Sequence, residues 1–98
     1  MKYKHTQRIK SANIDNKKLA TEIGDLYYDS LSEFLVYLSK KLEQDYIADR
    51  KRGREELANC LLEASNSINE ASKHIDKAWG ICKPYVDRWL IDHGSNRK

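Results

Sequence analysis

An unbroken alternation of four- and three-residue steps between apolar residues runs through the second half of the chain. Its members are Leu57, Leu61, Ala64, Ile68, Ala71, Ile75, Ala78 and Cys82. This spacing is typical of a helix that packs one apolar seam against a partner helix. Large and small residues mostly alternate along the seam, so a neighbouring backbone can approach closely at the alanines. Ala58, Ser65 and Ser72, which flank the seam, are also small and permit close packing. The pattern predicts a helix over about 54–82 and constrains the chain to a helical bundle.

Pro84 interrupts the helix that carries this seam. Proline lacks a backbone N–H group and clashes with the carbonyl of the residue four positions before it, which here is Gly80. The four–three spacing nevertheless continues through Tyr85 to Trp89. The sequence therefore predicts a helix that is kinked or broken at Pro84, with a short last helix over 84–92.

A long first helix is predicted over about 16–50, because this stretch contains no proline. Asp15 or Asn16 can cap its start, since either side chain accepts a hydrogen bond from a free backbone N–H group. Its central apolar stripe consists of Ala20, Ile23, Tyr27, Leu31, Phe34, Leu38 and Leu42. With the flanking apolar residues, the apolar arc covers roughly 200° of the helix surface. One neighbour cannot cover such an arc, so we expect this helix to contact at least two others.

Two positions can hold the turn between the long helices. One is Gly53, at about 52–54, because glycine readily adopts the left-handed conformation that ends many helices. The other lies at about 44–46, with Asp45 or Asp49 capping the next helix. Basic residues precede Gly53 and acidic residues follow it, which suits the dipoles of both helices. The turn at Gly53 is therefore preferred.

These elements predict an all-α fold built on a long antiparallel helical hairpin. A single hairpin of this length buries little surface and leaves one side of its first helix uncovered. We therefore expect two chains to pair as a homodimer in a four-helix-type bundle. Residues 1–13 are expected to form a basic flexible arm, residues 14–93 a single helical domain, and residues 94–98 a polar tail.

Composition limits the location of the protein and the state of its cysteines. No apolar run approaches the ~18 residues of a membrane-spanning helix, and no apolar stretch follows the basic N-terminus as in a secretory signal. We expect a cytoplasmic protein. Cys60 and Cys82 would lie roughly 33 Å apart on one helix, which is too far for a disulfide. We expect both to be reduced and buried, with a bridge between two chains as the alternative.

An aromatic group, Trp79, Tyr85 and Trp89, lies near the end of the second helix. Tryptophan and tyrosine contribute strongly to many protein interfaces, so the group is a candidate anchor for a protein partner. The alternative is a hydrophobic plug that closes the end of the bundle.

A basic group, Arg50, Lys51, Arg52 and Arg54, surrounds the preferred turn. Four positive charges at one end of the molecule form a candidate contact for an anion or a nucleic acid. The alternative is the ordinary charge of a helix end. The net charge of the chain is only +3, which is small for a dedicated nucleic-acid-binding domain.

An acidic stripe with steps of three, four and four residues runs along the first helix. It consists of Glu22, Asp25, Asp29 and Glu33. Carboxylates with this spacing can bind Mg²⁺, but these four lie opposite the apolar stripe, on the predicted solvent face. The sequence therefore predicts no metal site, no cofactor and no catalytic residue.

These observations favour a non-catalytic helical bundle that acts as a protein-interaction or regulatory module. The alternative is a nucleic-acid-associated accessory protein that uses the basic arm and the basic turn. A small all-helical enzyme is the third possibility, although the chain shows no catalytic triad, phosphate-binding loop or zinc-ligand spacing. The expected partners are a second copy of the chain and a protein that the sequence does not identify.

Overall fold

The computed structural model of the 98-residue chain describes residues 5–10 and 14–93. Over these residues the chain forms three α-helices and no strand: α1 (Asn16–Gly24), α2 (Tyr28–Lys51) and α3 (Glu55–His93). An isolated bridge joins Ile9 to Ile14 before α1. The predicted all-α class is confirmed. The predicted tail of residues 94–98 and part of the predicted arm of residues 1–13 lie outside the described residues.

The predicted first helix is divided into α1 and α2, so the single helix over about 16–50 was wrong. The Asp15 carboxylate caps α1 by accepting the Lys18 N–H at 2.9 Å. The helix ends at Gly24, a residue whose flexible backbone disfavours a helix interior. Tyr27 then takes an extended conformation, φ −52° and ψ 147°, and α2 starts after it. The break turns the Tyr27 ring onto Trp79 of α3, with ring centroids 5.7 Å apart.

The turn between α2 and α3 lies at Gly53, as preferred from the sequence. Gly53 has a φ of 79°, in the left-handed region that glycine adopts without a steric cost. The Arg54 N–H donates to the Asp49 carbonyl and the Gly53 N–H donates to the Arg50 carbonyl, each at 3.0 Å. This pair of bonds is the Schellman arrangement that closes many helix ends.

We expect Gly53→Ala to lower the free energy of unfolding by about 1–2 kcal/mol, because a side chain disfavours the left-handed conformation. Gly80→Ala is the matched control, since neither glycine has a neighbour within 4 Å of an added Cβ and only Gly53 has a positive φ. Gly80 lies inside α3, where alanine should be neutral or stabilising by up to about 1 kcal/mol. Urea unfolding of both variants at one protein concentration measures the difference. Equal stabilities would contradict the assigned turn.

Helix α3 continues through Pro84 to His93. Of the two alternatives predicted at Pro84, a helix that continues through it is the one observed, and a break with a separate short helix over 84–92 was wrong. Pro84 removes the hydrogen bond to the Gly80 carbonyl. Both residues are exposed, so water can solvate that carbonyl while the flanking turns preserve the helix.

Small polar residues form the contact between α2 and α3. The Ser32 hydroxyl donates to the Ser72 carbonyl at 2.9 Å. The Ser39 hydroxyl donates to the Ser65 carbonyl at 3.0 Å, and the Ser65 hydroxyl donates to the Ser39 carbonyl at 2.8 Å. All four serines are buried, as is Ala58. Because Ser32 meets Ser72 and Ser39 meets Ser65, the two helices run side by side in opposite directions.

The apolar seam predicted on α3 does not form this contact. Leu57 is 46% exposed, and Ala64 and Ala71 are also exposed. The contact instead follows Ala58, Ser65 and Ser72, which are spaced seven residues apart. Their small side chains allow the two backbones to approach until serine hydroxyls reach the opposite carbonyls. Among the described residues, Ala58 is the one buried hydrophobic side chain, so the α2–α3 pair has little apolar core of its own.

Candidate protein-interaction surface

Eight of the large aliphatic residues of α2 and α3 share one side of the pair. At about 100° per residue, they lie some 40–120° around each helix from its buried serines. Because the helices are antiparallel, this displacement points to the same side on both. We call this set of residues the apolar face: Leu31, Leu35, Leu38 and Leu42 of α2, with Leu57, Leu61, Ile68 and Ile75 of α3. Leu38 and Leu57 are exposed, and the other six are partly exposed.

The opposite side of the pair is mainly polar, although Val36, Ile47 and Leu62 also lie there. It carries Glu33, Lys40 and Gln44 of α2 and Asn59, Asn66 and Lys73 of α3, all of which are exposed. The α2–α3 pair is therefore amphipathic as a unit. Its serine contact divides an apolar side from a solvated side.

The solvent-accessible area of the chain is larger than that of a compact monomer of the same mass. The chain exposes 8298 Å², whereas a compact monomer of 11.5 kDa exposes about 5,800 Å². Part of the excess of about 2,500 Å² follows from the elongated shape, which extends over 56 × 29 × 17 Å. A typical protein–protein interface buries about 800 Å² on each partner. The excess is large enough to supply such an interface.

The structure separates the three aromatic residues predicted as a group. Trp79 is partly buried and stacks on Tyr27. Tyr85 is 75% exposed and Trp89 is 46% exposed. An open cleft of about 250 Å³ lies beside the stacked pair. Its lining consists of Gly24, Asp25, Leu26, Tyr27, Tyr28, Trp79, Cys82 and Val86. Trp79 therefore joins the α1–α2 connection to α3, while Tyr85 remains accessible; partner binding by the group stays a prediction.

The last 17 of the 39 residues of α3 extend beyond α2. The serine pairing places Tyr28, the first residue of α2, level with about Asp76 of α3. Residues 77–93 therefore have no α2 beside them. On this extension Ile81 is 68% exposed. Lys83 donates to Asp87 at 2.9 Å, and this hydrogen bond raises the pKa of Lys83.

The basic turn is partly neutralised within the chain. Arg52 and Arg54 form ion pairs with Asp49 at 3.5 and 3.2 Å. Arg50 donates to the Tyr46 hydroxyl at 2.8 Å. These three arginines and Lys51 are all exposed. An anion or nucleic-acid contact at Arg50, Lys51, Arg52 and Arg54 remains a prediction.

The break between α1 and α2 divides the acidic stripe. Glu22 lies on α1, Asp25 follows it, and Asp29 and Glu33 lie on α2; all four are exposed. In the part of the chain that the structure describes, no group of three or more His, Cys, Asp or Glu residues is placed to hold a metal ion.

Within the chain both cysteines are free, and neither is buried as the sequence predicted. Cys60 is exposed and Cys82 is intermediate. The reason is that both lie toward the apolar face of α3, about 100–140° from its buried serines, and not in the α2–α3 contact. No described helix is long and apolar enough to cross a membrane.

Comparison with protein-family models, curated proteins and solved structures gave no match for this chain. The function is therefore inferred from the apolar face. Sequence reasoning identified Ala58, Ser65 and Ser72 only as small residues beside the seam that permit close packing, and it did not predict that serines form the contact. Two pairs of serines spaced seven residues apart, Ser32 with Ser39 and Ser65 with Ser72, could have indicated this contact.

Proposed function

We propose that this chain is a non-catalytic protein-interaction module that acts through the apolar face. Its first partner is a second copy, and the two α2–α3 pairs form a four-helix-type bundle. The observation that carries this proposal is the placement of the aliphatic residues. Serines fill the contact within the chain, while eight leucines and isoleucines remain fully or partly exposed on one side.

The energetics favour covering this face. Full burial of a leucine or isoleucine side chain contributes about 1.5–3 kcal/mol, and most of the face is only partly buried in one chain. A four-helix bundle supplies apolar neighbours from the second pair. A symmetric dimer uses the same patch on both copies. The polar sides then remain in solvent, so assembly stops at two chains.

The basic turn supports the nucleic-acid alternative less well. Two of its four cations are paired with Asp49, which reduces the charge available to phosphates. A mixed-sign helix end also fits the dipoles of α2 and α3. The interaction-module proposal is therefore the stronger one.

We expect light scattering to give a mass of about 23 kDa at micromolar concentration, twice the 11.5 kDa of one chain. Leu38→Glu should weaken the dimer by at least about tenfold, because it places a charge in an apolar contact. Gln44→Glu is the matched control, since Gln44 is exposed on the polar side of the same helix. It should leave the mass unchanged. A monomeric wild-type chain would overturn the dimer, and equal effects of the two variants would contradict the assigned face.

A further inference from the structure

We propose that the two copies pair with their α3 helices antiparallel, with Ala71 of each copy at the two-fold axis. Cys60 of each chain then faces the partner's Cys82. This inference rests on the proposed function, because it specifies how a second copy occupies the apolar face.

The small residues of α3 have a symmetric arrangement about Ala71. Cys60, Ala64, Ala71, Ala78 and Cys82 are separated by four, seven, seven and four residues. At about 100° per residue, all five lie within about 20° of the direction of Ala71. Cys60, Ala64 and Ala71 are exposed, and Ala78 and Cys82 are partly exposed. An antiparallel copy would therefore meet small residues with small residues along this line.

One pair of large residues close to this line also fits the register. Leu57 and Tyr85 are each fourteen residues from Ala71, and they lie about 40° to either side of the line. Tyr85 is on the extension of α3 that has no α2 beside it, where it is 75% exposed. The antiparallel register places the partner's Leu57 level with Tyr85, across the line between the two helices. A parallel pair would instead leave each extension beside only the other extension.

Helix α2 fits the same register. The serine pairing fixes the level of each α2 residue along α3. Within one chain, Leu31 is level with Lys73 of α3, and the two-fold axis at Ala71 places Lys73 level with the partner's Asn69. The partner's Asn69 is level with the partner's Leu35, so Leu31 and the partner's Leu35 lie at the same height in the bundle. Both leucines belong to the apolar face, and both are partly exposed in one chain. The arrangement therefore matches apolar residues on α2 as well as on α3.

The native cysteines report this register directly. Within one chain they lie roughly 33 Å apart along α3, so a bridge between them cannot form in a single intact helix. Helices that meet through small residues can approach to about 8 Å between axes, which suits a disulfide between facing cysteines. Diamide supplies the oxidant: two thiols lose two electrons and two protons to its N=N bond, and a disulfide and a hydrazine form.

The test treats the reduced full-length chain with diamide at a concentration at which light scattering has given its mass. We expect a covalent species of about 23 kDa, twice the chain mass, whose peptide map joins Cys60 to the partner's Cys82. Cys60→Ser and Cys82→Ser should each lose this species completely. An equimolar mixture of the two variants should restore it in up to half of the dimers, through one remaining bridge.

Other outcomes distinguish a wrong helix register from a wrong proposal of a dimer. Cys60–Cys60 and Cys82–Cys82 links, each surviving in the other single variant, would show a parallel pair and overturn the inference. A dimer by light scattering that forms no covalent species would also overturn the register while preserving the proposed function. A monomer by light scattering would overturn both.

Discussion

Ser65→Leu is expected to lower the free energy of unfolding by about 3 kcal/mol, the upper end of the usual cost of overpacking. Ser65 is 5% exposed, and its hydroxyl donates to the Ser39 carbonyl at 2.8 Å. The two helices are therefore too close at this point to admit a leucine side chain. The larger residue must push α2 and α3 apart, which also breaks the reciprocal hydrogen bond from Ser39. Urea unfolding followed by circular dichroism measures the loss.

Two further variants separate bulk from hydrogen bonding. Asn66→Leu adds a similar side chain one residue away on the exposed polar side, and it should change stability by less than about 0.5 kcal/mol. Ser65→Ala removes the hydroxyl without adding bulk, and it should cost about 1 kcal/mol. All measurements need one protein concentration, because dimerisation couples association to stability. A Ser65→Leu chain as stable as Asn66→Leu would contradict the close serine contact.

The sequence predicted the helices better than it predicted which sides of them meet. Helix periodicity and the glycine at 53 were sufficient for the all-α class and for the turn. The α2–α3 contact was missed because an apolar-pattern search favours large residues such as Leu61 and Ile68. The actual contact is made by serines, which bury well here because each hydroxyl finds a carbonyl on the opposite helix. Closeness of approach, and not hydrophobicity, selected the Ser65 side of α3.

The other differences also have local physical causes. The central apolar stripe continues from Ala20 through Leu31 without a change in helical spacing, so periodicity alone predicted one helix there. The break after Gly24 is accompanied by a tertiary contact, the stacking of Tyr27 on Trp79, which no local pattern records. At Pro84 the local rule was too strong, since one lost hydrogen bond at an exposed position does not end a helix of 39 residues.

The sequence identified the residues of the apolar face, but it did not predict that they would remain uncovered by the helix beside them. The residues from Leu57 to Cys82 were predicted to pack against the first helix. In the structure they lie to one side of that contact, and several remain exposed. The same regular spacing then needs a partner outside the chain. This displacement is the geometric reason to expect a homodimer. The wide apolar arc predicted on the first helix is also explained by it, because part of that arc faces away from α3.

Ala71→Glu is expected to weaken the dimer by at least about 100-fold, or about 2.7 kcal/mol. Ala71 is exposed in one chain, so the substitution should leave the fold of that chain helical. At a two-fold axis each substitution occurs twice, and the two carboxylates meet in a contact from which water is excluded. Burial without a cation is costly for each carboxylate, and their mutual repulsion adds to that cost. Sedimentation velocity over a range of concentrations measures the dissociation constant.

A charge-exchange experiment makes this prediction specific to the position of the axis. Ala71→Lys should also favour the monomer, because two ammonium groups then meet. Mixing Ala71→Glu with Ala71→Lys should restore association as a mixed dimer that native mass spectrometry distinguishes by mass. Asn66→Glu, on the polar side of α3, should keep the wild-type mass. If Ala71→Glu dimerises like the wild type, Ala71 is outside the interface. If the mixture associates no more tightly than the single variants, the bulk of the new side chains and not their charge causes the loss, because helices that meet through small residues leave little room at Ala71.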